Sequence, residues 1–365
     1  MAVIIQLDPN IFGTIVHYDD ETTGKVDGVI QIGGRVLGKG AFGDVLPARF
    51  PGEDKIVAKF IKKTESQQVD ICTEAAISLK LRHPCIVPCF GALQTEKSAI
   101  LFFKRIHGRT LAHWAENIRA LVNRNPSEDE VRPIMFQLLH GLHYLQTAKI
   151  AHFDLHAHNV MVDDSGTAII LDFGMAHDYH SIKRGVFMPA SYSYPPECVI
   201  RDMGVDHKCD VFLCAGMMYL VLFRRGPFGF VNLKGVAPAK HLDNVLAGMC
   251  QDPWNGPHKS SSALQTLMSK CLAYSPEDRP DAAEALCYEW FKATPGYSKL
   301  HLTDYVPSTP PTDFRELDKE ILETICKQWE SDTYTMASAI ITNSNGPAAI
   351  AYRNAQYISN KFFSS

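Results

Sequence analysis

The spacing of apolar and polar residues changes along the chain, and each change marks an element. Val3-Ile4-Ile5 and Thr14-Ile15-Val16, separated by Pro9-Asn10, predict short strands, and a polar loop from Asp19 to Gly24 follows. The run Lys55 to Ile61 predicts a half-buried strand, and Ala99 to Phe103 a fully buried one. Between them Gln67 to Leu81 is helix-compatible, with Ile71, Ala75 and Leu79 near one face. From Leu111 the pattern becomes helical. Ser127-Glu128-Asp129-Glu130 predicts a capping box ahead of Ile134, Leu138, Leu142 and Leu145. Pro133, in the second turn of that helix, predicts a later start or a kink. Val160-Met161-Val162, a turn over Asp163 to Gly166, and Thr167 to Leu171 read as a hairpin. Val211 to Phe223 reads as a buried core helix, too short for a bilayer, which needs about 20 residues. Beyond Pro295, the prolines 307, 310 and 311 mark a linker. Asp313 then caps a helix whose apolar stripe is Phe314, Leu317, Ile321, Ile325 and Trp329, and a weaker helix spans Ala348 to Ile358.

Polar residues at the ends of the predicted hairpin carry the chemistry. Asn159 precedes its first strand and Asp172 follows its second, so both sit at one open end, where oxygen ligands suit a magnesium ion. Asp154, just upstream, is placed to accept a proton from an incoming hydroxyl. A glycine-rich stretch, Leu37-Gly38-Lys39-Gly40-Ala41-Phe42-Gly43-Asp44-Val45, lets backbone amides approach phosphates closely. Dinucleotide folds use the same letters, but there the loop opens a helix. Here Pro47 and the turn Pro51-Gly52-Glu53-Asp54 lead instead into a strand bearing Lys59.

These stretches resemble the protein kinase family. His152-Phe153-Asp154-Leu155, with Asn159, is similar to its catalytic loop, and Asp172-Phe173-Gly174 to its metal loop. The resemblance implies an α+β, bilobal kinase-like fold with a small β-rich N-lobe and a larger, mainly helical C-lobe. It implies that Lys59 holds the α- and β-phosphates of ATP and that Glu74, nine positions before His83-Pro84, pairs with Lys59. Asp154 becomes the catalytic base, with Asn159 and Asp172 the ligands of Mg²⁺. ATP is enclosed by Leu37, Gly38, Lys39, Gly40, Ala41, Phe42, Gly43 and Val45, by Lys104 and Ile106 of the hinge, and by Met161. Phe103 guards the pocket behind adenine. Pro195-Pro196-Glu197 resembles the motif that closes the activation loop, and Glu197 then pairs structurally with Arg279. The loop between holds Tyr179, Ser181, Ser191, Tyr192 and Ser193 as candidate phosphosites. The resemblance divides the chain into an N-terminal extension (1–29), a kinase domain (30–292, with lobes 30–105 and 106–292) and a tail (293–365) carrying the helix 313–330. The extension is either an extra hairpin on the first lobe or a partner-binding segment. The tail helix either packs on the large lobe or binds a partner.

Several positions depart from the family. Val57 stands where alanine is usual and narrows the adenine pocket, and Ser78 stands where an apolar residue is usual. His156 replaces a lysine near the γ-phosphate, and Phe153 an arginine that holds a loop phosphate. The tryptophan that tyrosine kinases show before the closing motif is missing, which favours serine or threonine acceptors. Drift on this scale suits a fast-evolving, virus-encoded kinase. Two other classes stay open: a pseudokinase acting as a binding scaffold, and a kinase-fold enzyme acting on small molecules.

Composition narrows the partners. The 365 residues are 46% apolar and 21% charged, as in ordinary soluble globular proteins. A net charge of -4 argues against nucleic acid or an anionic membrane as the main partner and leaves a protein substrate. The ten cysteines are scattered without metal-binding pairs, which fits a reducing cytoplasmic or nuclear compartment rather than secretion. Phe153 carries no charge, so the implied activity is expected not to depend on a phosphorylated loop held at that position (a non-RD kinase). Phosphatase treatment checks this: activity lost on treatment and restored by rephosphorylation counts against it.

Overall fold

The computed structural model describes residues 3–6, 15–17, 30–32, 35–40, 43–50, 53–62, 68–94, 98–178, 195–199, 205–227 and 260–294. They fall into two compact units, the first running to Ile106 and the second starting at His107. The first unit is built on a sheet of β1 (Val3–Gln6), β2 (Ile15–His17), β3 (Ile30–Ile32), β4 (Gly38–Gly40), β5 (Gly43–Phe50), β6 (Glu53–Lys62), β7 (Cys89–Gln94) and β8 (Ser98–Lys104). The order is β1-β7-β8-β6-β5-β3-β2, with β4 paired to β5. β1 and β2 therefore lie at opposite edges, and the N-terminal strands form no hairpin with each other. Pro47 lies in β5 between the stretch that pairs with β4 and the stretch that pairs with β3, a point that tolerates its missing N–H.

Alternation along the strands sorts the residues of this sheet. Ile56 and Ala58 of β6 join Ile32, Ala48, Ile100 and Phe102 in one buried cluster, with Leu46, Phe60 and Phe90 against it. Because a strand repeats every second residue, Lys59 points to the other face. The single helix described in this unit, α1 (Gln68–Lys80), packs against β7. Its described buried residues are Glu74, Ala75, Ile77 and Ser78, while Leu79 is half-buried, so the buried face includes Ala75 as expected but extends to Glu74 and Ser78. Two of the four are polar. The burial of Glu74 follows from Lys59 on β6, a charge that apolar periodicity does not register. Ile71 has no described side chain.

The second unit contains α2 (Leu111–Val122), α3 (Glu128–Thr147), α4 (Pro196–Val199), α5 (Lys208–Phe223), α6 (Ser262–Cys271) and α7 (Ala282–Leu286). It also has β9 (Gly108–Thr110), β10 (Ile150–Ala151), β11 (Val160–Asp163), β12 (Ala168–Ile170) and β13 (His177–Asp178). α3 starts at Glu128 despite Pro133, because Ser127 and Glu130 form a complete capping box that fixes the first turn. Thirteen residues of α5 are buried, as befits a helix apolar on every side. β11 pairs with β12 on one edge and β9 on the other. Gly108 makes the second pairing possible: a Cβ there would lie 2.2 Å from the Val162 carbonyl oxygen.

The α3 cap also has a predictable response to acid. The hydrogen bond from Arg124 holds the Glu130 carboxyl down to about 2 from 4.5, against desolvation and with help from Ser127. A depressed carboxyl stabilises the fold above its unfolded value and loses that contribution as pH falls through the folded one. Glu130→Gln should lower the thermal midpoint at neutral pH, and the gap to wild type should close as pH falls from 4.5 toward about 2. Thermal melts across that range measure it.

Candidate active site

In the first unit, Lys59 on β6 meets Glu74 on α1. The Nζ–Oε1 distance is 2.7 Å, and the residues are 6% and 3% exposed. Both charges are largely removed from water, where an ion pair offsets part of the lost hydration. The glycine-rich turn has two kinds of glycine. At Gly43 a Cβ would fall 1.6 Å from the Phe60 carbonyl oxygen, so packing of β5 on β6 demands glycine there. At Gly38 a Cβ would meet nothing within 4 Å, so no protein contact demands its small size. Leu37 is exposed and its N–H donates to the Val45 carbonyl (2.8 Å). Lys39 and Gly40 lie in β4, while Ala41 and Phe42 lie outside the described residues. After β8, Lys104 N–H donates to Pro88 O (3.0 Å) and Arg105 N–H to Lys55 O (2.7 Å), which fixes the strand end that leads to Ile106. Val57 is half-buried and registers with Phe103.

In the second unit, the loop between β10 and β11 holds Asp154 and Asn159. Asp210, in the first turn of α5, is buried and accepts the His152 N–H (2.7 Å) on Oδ2 and the Phe153 N–H (2.9 Å) on Oδ1. Burial pushes its pKa up, while His152 and these two bonds pull it down. Phe153 is held at φ +61, a conformation a bulky residue adopts only under constraint. Its side chain is buried with Ala151, Cys198 and Cys209. The imidazole of His152 braces the next turns. Its Nδ1 accepts the Asp154 N–H (3.2 Å), which leaves Nε2 to donate to the Leu171 carbonyl (2.8 Å), and the ring meets Phe173 edge-on.

Asn159 Nδ2 donates to the Asp154 carbonyl (2.9 Å) and to its Oδ2 (3.1 Å). Asp154 is 6% exposed, and its Oδ1 has no hydrogen-bond partner among the described residues. The Leu171 N–H donates to Asn159 O (2.8 Å), which brings Asn159 and Asp172 to the same end of the hairpin. Asp172 has φ +57, and its Oδ1 accepts the Gly174 N–H (3.1 Å). His156 Nδ1 accepts the His158 N–H, so its Nε2 faces Asp154 Oδ2 at 3.6 Å, outside hydrogen-bond range. Met161 is half-buried on β11 opposite Thr110 and Ile169.

Below this loop Arg279 grips Glu197 with two nitrogens. Nη2 reaches Oε2 at 2.6 Å and Nη1 bonds Oε1, with both side chains buried. The other guanidinium protons go to the carbonyls of Ala273, Lys208 and Tyr274, and the plane lies 4.7 Å over Phe212. The apolar run Val211 to Phe223 predicted the helix but not the hold of Asp210, one residue before it, on the loop backbone. The signal was present: a carboxylate opening an otherwise apolar buried helix needs donors. The bracing role of His152 had no separate signal. The candidate phosphosites of 179–194 and the tail helix 313–330 lie outside the described residues.

A family model for the protein kinase domain matches residues 33–291, which is most of the chain. Sperm motility kinase 1 of Mus musculus is 26% identical over 256 residues, covering 70% of this chain and 50% of that protein. Serine/threonine-protein kinase dst1 of Dictyostelium discoideum is 26% identical over 265 residues, covering 70% and 34%. Protein kinase domain-containing protein ppk9 of Schizosaccharomyces pombe is 25% identical over 279 residues, covering 73% and 49%. The chain thus spans half or less of the length of these relatives. The α+β fold class expected from the motifs is that of the matched family.

The Glu197–Arg279 pair has a measurable consequence. Glu197→Gln strands a buried guanidinium and should cost about 3–5 kcal/mol in urea unfolding. Combining it with Arg279→Met should cost less than the sum of the two single changes.

Proposed function

The chain belongs to the protein kinase family, and on that premise we propose that it transfers the γ-phosphate of ATP to protein hydroxyls, serine or threonine before tyrosine. One observation carries the reading. Asp154 is a buried carboxylate with one oxygen engaged by Asn159 and the other without a hydrogen-bond partner among the described residues. A group held at that cost fits a base waiting for a substrate hydroxyl. With Oδ2 held by an amide, Oδ1 accepts the hydroxyl proton as the acceptor oxygen attacks phosphorus. Lys59, positioned by its ion pair with Glu74, binds phosphate oxygens. The open space at Gly38 lets backbone amides approach the same group.

Asn159 and Asp172 are the residues that would hold Mg²⁺. The amide nitrogen of Asn159 is spent on Asp154, so its oxygen is the atom left for a cation. Bound Mg²⁺ neutralises charge on the phosphates as it develops. Catalysis on this reading is mostly positioning and electrostatics, which suits a site with no covalent nucleophile. The serine/threonine preference is supported by the name of the dst1 relative and by the missing tryptophan before Pro195-Pro196-Glu197. Residues 30–292 are taken as the catalytic domain, flanked by the extension 1–29 and the tail 293–365, whose helix 313–330 is offered to a partner. No helix among the described residues is long and apolar enough to cross a membrane. The cysteine pattern supports work in the cytoplasm or nucleus.

A scaffold without catalysis is the second reading. Ser78 favours it: its buried hydroxyl has no partner among the described residues, one turn from Glu74. Labelled ATP and mixed protein substrates separate the two. Asp154→Asn and Asp172→Asn should each lose transfer by about 100-fold or more, with label on phosphoserine or phosphothreonine in the wild type. Equal signal in all three proteins leaves only the scaffold.

A further inference from the structure

The sulfurs of Cys198 and Cys209 lie 3.5 Å apart inside the buried cluster that holds Ala151 and Phe153. Cys198 belongs to α4, the short helix that follows the long segment after β13, and Cys209 to the first turn of α5. Both are free thiols. A sulfur–sulfur bond is about 2.05 Å long, so rotation of two side chains through roughly 1.5 Å of approach turns this contact into a bond. We propose that Cys198 and Cys209 are a site of reversible oxidative modification, closed by a peroxide into an intramolecular disulfide that ties α4 to α5.

The two sulfurs have different roles. Cys198 is 7% exposed and Cys209 is 0%, so a small oxidant reaches Cys198 first. The Cys198 sulfur attacks one peroxide oxygen, the O–O bond breaks, and the other oxygen leaves as water with the thiol proton. Cys198 is then a sulfenic acid. The Cys209 sulfur attacks the Cys198 sulfur, the S–O bond breaks, and the hydroxyl leaves as water with the Cys209 proton. Two thiols have lost two electrons, and one peroxide has become two waters.

The surroundings of Cys209 decide the order of the two sulfurs. Its thiol donates to Glu197 Oε1 (3.1 Å), and burial, followed by the neighbouring Cys198 and Glu197, holds its pKa well above the usual thiol range. A thiol that keeps its proton reacts slowly with peroxide, so Cys198 is the sulfur oxidised first, and Cys209 attacks as its proton leaves along the hydrogen bond to Glu197. The bond would withdraw Cys209 from Glu197, which keeps both contacts to Arg279. Phe153 packs in the same cluster, so the link sits directly behind the loop that carries Asp154.

The test uses covalent chemistry and does not depend on kinase activity. The full chain is exposed to graded hydrogen peroxide, alkylated, digested without reduction and mapped by mass spectrometry. Exposed Cys287 serves as the dose reference. The expected result is a peptide containing Cys198 joined to one containing Cys209, with the link lost on treatment with dithiothreitol. In Cys209→Ala, checked for folding by circular dichroism, Cys198 should instead be captured by dimedone as sulfenic acid. A Cys198 that stays reduced at doses that oxidise Cys287, or that joins another cysteine or a second chain, overturns the proposal.

Discussion

Asp210 is the constraint on which the second unit depends. It opens a helix whose remaining surface is apolar and buried, so its carboxylate has no water to satisfy it. Backbone N–H groups are the donors within reach, and it takes those of His152 and Phe153. Accepting both holds the chain at the positive φ of Phe153, a strain of about 1–3 kcal/mol for a bulky residue. From that bend the next residue is Asp154, aimed by its own N–H into the ring of His152. The position of the candidate base is thus an outcome of packing deep in the helical core.

The same logic runs through the first unit and the base of the second. Lys59 with Glu74, and Arg279 with Glu197, are charges removed from water and therefore bound to a partner. Such pairs contribute little net stability over apolar residues of similar size, but breaking one is costly. They act as registers. Lys59 fixes how α1 lies against its sheet, and Arg279 fixes where the end of the loop segment meets α5 and the turn after α6. Arg279 is satisfied on every side, which makes that corner rigid.

The fold was legible where the pattern was local. The capping box of α3, the hairpin of β11 and β12, and the buried run of β8 all depend on neighbours in sequence. Pro133 was misleading for the same reason: its cost is local, but the cap and roughly four further turns of packing outweigh it. The extent of the buried face of α1 was hidden because Glu74 and Ser78 are buried without contributing to the apolar pattern. The edges taken by β1 and β2 were hidden too, since β1 pairs with β7, which is not its neighbour in sequence, and β2 lies parallel to β3.

For the site, the sequence by itself determined which residues can do chemistry: Lys59, Glu74, Asp154, Asn159 and Asp172 were identifiable from side-chain type and spacing. It also determined the departures at Phe153 and His156. Only the tertiary structure decided that Phe153 is a buried anchor against Cys198 and Cys209, and that His156 stands just outside hydrogen-bond reach of Asp154. It alone decided that glycine is demanded at 43 by a strand contact and left free of contact at 38. The reason is physical. Side-chain chemistry belongs to a residue, whereas burial, strain and an unpartnered oxygen belong to contacts between segments far apart in the chain.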